Sequence, residues 1–163
     1  MNFLNEDLLV SLMDEFLEPF GLDSDFDSDF YYDPEEERVY FTIAMTEKSD
    51  KLFRQYILNE FSFCPPSIFM MSILHEIGHA FTYYDLPIEV ILEDNKEKKQ
   101  IEELYNLYEQ DETYLRYFDL RMERVATEWA VKYYKEHEKE VEDFFIKFVN
   151  ALYKEYKRIG LTE

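Results

Sequence analysis

The residues best able to do chemistry lie together in Leu74-His75-Glu76-Ile77-Gly78-His79. On a helix, residues four apart share one face about a turn apart, so His75 and His79 can offer two imidazoles to a single tetrahedral ion. Glu76 stands beside that face. Its carboxylate can take a proton from a water that the metal has acidified and pass it to a leaving amine. The bland alternative is a pair of core histidines satisfied by backbone and carboxylates. An HExxH pattern arises by accident in roughly one chain in a few hundred of this length. Here, however, it sits in a segment otherwise built for burial, where polar groups are expensive unless paired or metal-bound.

A catalytic zinc needs a third protein ligand and keeps its fourth position for water. Asp85 lies six residues after His79, but Thr82 stands where that spacing needs a glycine to turn the chain back. His137 lies in the charged run Lys135-Glu136-His137-Glu138-Lys139 and reads as a surface histidine. The preferred candidate is Glu123, at the edge of a stripe formed by Met122, Val125, Ala126, Trp129 and Tyr133. Ala126 and Ala130 follow it on that face, small enough for a close helix approach. Glu128 is about 140° around the same helix. Flanked by Arg124 and Lys132, it reads as half of a solvated ion pair.

The elements that must carry these residues are mostly helices. Leu8, Leu9, Leu12, Met13, Phe16 and Leu17 repeat at helical spacing over residues 6–20, which Gly21 ends. An acidic, turn-rich stretch over 23–29 precedes two strands, 29–32 and 38–45, joined by Asp33-Pro34-Glu35-Glu36. A helix over 49–61 ends at Cys64-Pro65-Pro66, and the HExxH helix over 67–84 is apolar on nearly every side, the mark of an interior helix. After Asp85-Leu86-Pro87 the chain reads as polar and irregular to residue 99, then as helices over 99–109, 115–136 and 139–158. The fold class expected is α+β, mostly helical, with a small sheet packed beside a buried HExxH helix.

The chain has 163 residues, the size of one ordinary domain, and residues 1–163 are read as one. Its 47% apolar and 18% aromatic content argues for a packed core. With 17 basic against 37 acidic residues the net charge is −20, a field that repels nucleic acid and anionic membranes and attracts cations or basic partners. The lone Cys64 cannot form an intramolecular bridge and is expected to be a small buried hydrophobe. The first residues lack the basic region of a signal peptide, and no apolar run reaches the ~18 residues of a membrane span. A cytoplasmic protein that binds neither membrane nor nucleic acid is the expectation.

Two motifs together resemble a known group. His75-Glu76-Ile77-Gly78-His79 followed by Glu123-x-x-Ala126-x-x-Trp129-Ala130 is similar to the HExxH and E-x-x-A-x-x-[F/W]-A elements of ImmA/IrrE-like zinc peptidases, small cytoplasmic gluzincins common in phages and mobile elements. The resemblance implies a zincin-like fold and a zinc ion (Zn2+) held by His75, His79 and Glu123. It further implies a metallopeptidase that cleaves an intracellular protein or peptide, with Glu76 activating zinc-bound water. An extended substrate is expected to pair with the edge of the 38–45 strand, and one of Tyr83, Tyr84, Tyr114 and Tyr117 to stabilise the oxyanion. The alternatives are an acidic interaction protein that mimics DNA, and a zinc-binding fold without proteolytic activity.

Overall fold

In a computed structural model, which describes residues 3–162, the first helix, α1 (Glu6–Leu17), begins where the Asn5 side chain accepts from the Leu8 N–H. Leu9, Met13 and Leu17 follow at four-residue intervals and are fully buried. A 3-10 turn, Glu18–Phe20, leads into Gly21, whose φ of 72° is the left-handed conformation glycine adopts at low cost. The helix and its stop are those the periodicity predicts.

The chain divides into two compact units, one formed by its two ends, through Ile43 and from His137, and the other by Ala44–Glu136. In the first unit, α1 is followed by three strands, β1 (Asp23–Phe26), β2 (Tyr31–Asp33) and β3 (Arg38–Phe41). Helix α7 (Glu138–Ile159) completes it, burying Val141, Phe148 and Glu155 at seven-residue intervals along one side. The sheet order is β1-β3-β2, with β1 parallel and β2 antiparallel to β3. Tyr31 and Tyr40 face each other across the antiparallel pair, their rings stacked at 4.3 Å.

Three expectations change here. The acidic 23–29 stretch contains a strand, because both the N–H and the hydroxyl of Ser24 bond the Asp14 carboxylate at 2.7 Å and dock this segment on α1. Strand β3 stops at Phe41 instead of running to 45. It is also the central strand, with its hydrogen-bonding edges taken by β1 and β2, so it offers no edge to an extended substrate.

The second unit holds α2 (Glu47–Phe61), α3 (Ile68–Thr82), a 3-10 turn Tyr83–Asp85, α4 (Ile88–Tyr108), α5 (Asp111–Phe118) and α6 (Arg121–Glu136). Thr46 caps α2 and Ser67 caps α3, each side chain accepting an N–H of the first turn. The Ser67 N–H in turn donates to the Tyr134 hydroxyl of α6 at 3.1 Å. Helix α3 is buried without interruption from Met70 to Gly78, the interior position its composition predicts. Helix α4 begins at 88, not 99: Pro87 starts it, and its exposed Ile88 and Leu92 blur the amphipathic signal. The predicted 115–136 helix is split at Asp119-Leu120 into α5 and α6. Cys64 is exposed, contrary to expectation, because it lies in the non-helical link where Pro65 takes the buried place.

Helices and a small three-stranded mixed sheet make the described chain α+β and mostly helical. No helix among the described residues is long and apolar enough to cross a membrane.

Candidate metal centre

Helices α3 and α6 meet where one residue has no side chain. A Cβ placed on Gly78 would lie 2.4 Å from the Ala126 carbonyl oxygen, far inside contact distance, so this approach requires glycine. Ala126 and Ala130 are fully buried at the same contact. The small residues let α6 press against the HExxH face and deliver Glu123 to it.

The buried face of α6 is Glu123, Ala126, Thr127, Ala130, Val131 and Tyr134. That is a rotation from the predicted stripe, whose Met122, Val125, Trp129 and Tyr133 are only half-buried. The large ring of Trp129 instead lies at the margin, stacked on Phe81 of α3 at 5.2 Å. Asp94 of α4 supports the start of α6, accepting the Met122 N–H at 2.6 Å. A carboxylate there also complements the positive end of the helix dipole.

At the contact, Nε2 of His75 lies 2.8 Å and Nε2 of His79 lies 3.1 Å from the same oxygen, Oε2 of Glu123. The ligand atoms of the three residues all lie within 4.8 Å of one another. His75 is 7% exposed and Glu123 8%, so the cluster is largely withdrawn from water. Burial pushes the Glu123 carboxyl up, but the charge of His79 and hydrogen bonds from both imidazoles outweigh it and hold the group well below the carboxylate range. Burial likewise lowers His79, and the Glu123 charge more than reverses that, leaving it raised.

Two nitrogens converging on one carboxylate oxygen demand positive charge between them, as protons or as a cation. Two imidazoles and a carboxylate make the N2O donor set that a tetrahedral zinc site with one open position uses. The residues present therefore fit a metal ion, and the cluster can hold one.

Around this set, Tyr117 of α5 donates its hydroxyl to Oε1 of Glu123 at 3.1 Å. Burial, and then the charges of Glu123 and Glu76, push that phenol upward, so it stays protonated and a donor. The Lys98 ammonium sits over the Tyr117 ring, 5.4 Å from its centre. The rings of Phe53 of α2 and His75 lie nearly perpendicular, their centres 5.7 Å apart. Thr127 meets the other side of the His75 ring, its Oγ1 2.9 Å from Nδ1.

The structure thus brings together His75, His79 and Glu123 and leaves the other candidates outside. Asp85, in the 3-10 turn after α3, and Glu128 are exposed. Arg124 pairs with Glu60 and Asp119, each at 2.9 Å, instead of the predicted Glu128. His137 lies between α6 and α7, away from the cluster in the chain and outside the ligand group. Glu76 is 7% exposed, on the same turn as His75, and its charge is felt by both His79 and Tyr117. Of the four tyrosines considered, Tyr117 bonds a member of the cluster. Thr127 and Asp94 went unnoticed in the sequence. Thr127 had a signal, four residues after Glu123 on the same face, whereas nothing local marks Asp94.

No protein-family model, no curated protein and no solved structure matches the chain.

Proposed function

We propose that this chain is a zinc-dependent peptidase acting on a protein or peptide substrate, with His75, His79 and Glu123 as zinc ligands and Glu76 as general base. The observation that carries the reading is the convergence of two imidazole nitrogens and one carboxylate oxygen at a buried point, with a second buried carboxylate one residue after the first histidine. The likeness of the two motifs to ImmA/IrrE-like peptidases supports it. Zinc bound there supplies Lewis acidity, polarising a carbonyl and acidifying a water.

The chain's own residues divide the remaining work. Glu76 takes a proton from the attacking water and returns it to the leaving amine. Its place on the turn of His75, withdrawn from solvent, suits that role. Glu123 acts as ligand through Oε2, because its other oxygen is engaged by Tyr117. Tyr117, with a protonated phenol beside the cluster, would stabilise a developing oxyanion by turning its hydroxyl from Glu123 Oε1 toward it.

The test is metal content followed by one substitution. After exhaustive dialysis the protein should retain one zinc per chain, measured by elemental analysis. Glu76→Gln should keep that zinc and lose hydrolysis of an unfolded protein substrate. A protein that neither takes up zinc nor gains thermal stability from it would sink the reading. A second reading, an acidic decoy for a basic DNA-binding protein, is favoured by the charge of −20. It expects Glu123→Ala to leave binding to such proteins intact.

A further inference from the structure

We infer that Thr127 is a positioning residue of the metal centre, its hydroxyl accepting the Nδ1–H of His75 and donating to the main-chain carbonyl of Glu123. The inference rests on the zinc reading above and concerns a residue that neither motif specifies. Thr127 is fully buried. A β-branched residue is a poor choice for the middle of a helix on propensity alone, and valine would fill the same volume. What threonine adds is one hydroxyl.

That hydroxyl has a single proton. A buried helical threonine commonly returns it to the carbonyl four residues earlier, and Thr127 Oγ1 lies 3.0 Å from the Glu123 carbonyl oxygen. With its proton so committed, Oγ1 can only accept from the group it faces on the other side, Nδ1 of His75 at 2.9 Å. Nδ1 then carries a ring hydrogen, and when a metal ion takes the place of the proton shared between Nε2 and Glu123 Oε2, 2.8 Å apart, Nε2 offers that ion its lone pair. This is the tautomer that ligation through Nε2 needs. Metal-binding histidines usually donate their second N–H to such a partner, which sets ring orientation and basicity. Here the chain of bonds ends on the backbone of another proposed ligand, so one hydroxyl couples the ring plane of His75 to the placement of Glu123.

The experiment compares zinc affinity of the parent, Thr127→Val and Thr127→Ser by competition with a chromophoric chelator, with melting of the zinc-free forms as a check on folding. Thr127→Val should bind zinc about 10–100-fold more weakly, the usual effect of losing such a partner. Thr127→Ser, which keeps the hydroxyl, should stay close to the parent. In the zinc-loaded parent labelled with 15N-histidine, where only three histidines contribute, His75 should show a slowly exchanging Nδ1–H that Thr127→Val lacks. A valine variant as tight as the parent, or a serine variant as weak as the valine, overturns the inference and leaves the zinc reading standing. A parent that binds no zinc overturns both. Should the valine variant not fold, a zinc-loaded parent without a protected His75 ring N–H overturns the inference by itself.

Discussion

Glu123 keeps its charge at a place where burial alone would remove it, because His79 and His75 supply hydrogen bonds and opposing charge. A carboxylate in that position has two possible fates on substitution, and they distinguish a ligand from a structural ion pair. Glu123→Ala should release zinc readily, with a loss of affinity larger than the roughly 100-fold ascribed to a supporting partner. Asp85→Ala and Glu128→Ala should hold zinc as the parent does, since both residues are exposed and lie outside the ligand group. Chelator competition on the three variants checks the assignment. Retention by Glu123→Ala together with loss from Asp85→Ala would place the third ligand after α3 and end the comparison with ImmA/IrrE-like peptidases.

Between elements, the contact that matters is the one at Gly78. Replacing a helical glycine by alanine ordinarily stabilises a helix by about 1 kcal/mol. Here the added Cβ would meet the Ala126 carbonyl oxygen at 2.4 Å, and a backbone atom held inside another helix cannot swing aside. The two helices must separate, and overpacking of that kind costs about 1–3 kcal/mol. Gly78→Ala should therefore lower stability in denaturant melts. It should also weaken zinc binding, because the same shift draws Glu123 away from His75 and His79. A variant more stable than the parent would mean that α3 and α6 do not approach as closely as described.

For the molecule as a whole, electrostatics are dominated by the excess of acid, and the sequence isoelectric point of about 4.4 puts the relief of self-repulsion in the mildly acidic range. In the unit formed by the chain ends, one acid works in the opposite sense. Glu155 of α7 accepts the Asn5 N–H at 3.0 Å and pairs with Arg158 at 2.7 Å. The Arg158 hydrogen bonds, and then the Asn5 N–H, lower its pKa from the ordinary 4.5. A depressed carboxylate contributes stability that is fully present above its unfolded value and is lost as pH falls through the folded one. Glu155→Gln should therefore lower the melting temperature at neutral pH, and the gap from the parent should close below about pH 4.5. The difference is the useful readout, since repulsion changes for both proteins alike. A gap that does not narrow at all as pH falls from neutral to 3 would assign the effect to packing.

What could be read from the sequence alone was what depends on near neighbours. Helical spacing placed His75 and His79 on one face, Ser67 at a helix start and Gly21 at a helix end, since each is decided within about one turn. Composition alone made α3 an interior helix. Glu123 emerged from its position among small residues and from the likeness of its motif. The tertiary structure decided matters that depend on a partner. Which side of α6 is buried turned on the fit of Gly78 against Ala126, which draws in Thr127 and Ala130 and leaves Trp129 at the margin against Phe81. Periodicity reveals that a helix has an apolar side but not the angle at which a neighbour will meet it. The same holds for the strand at Ser24, which exists through Asp14 and β3, and for the central place of β3. Tyr117 and Thr127 reach the cluster through distances of 2.9–3.1 Å that only the packing of α5 and α6 on α3 creates.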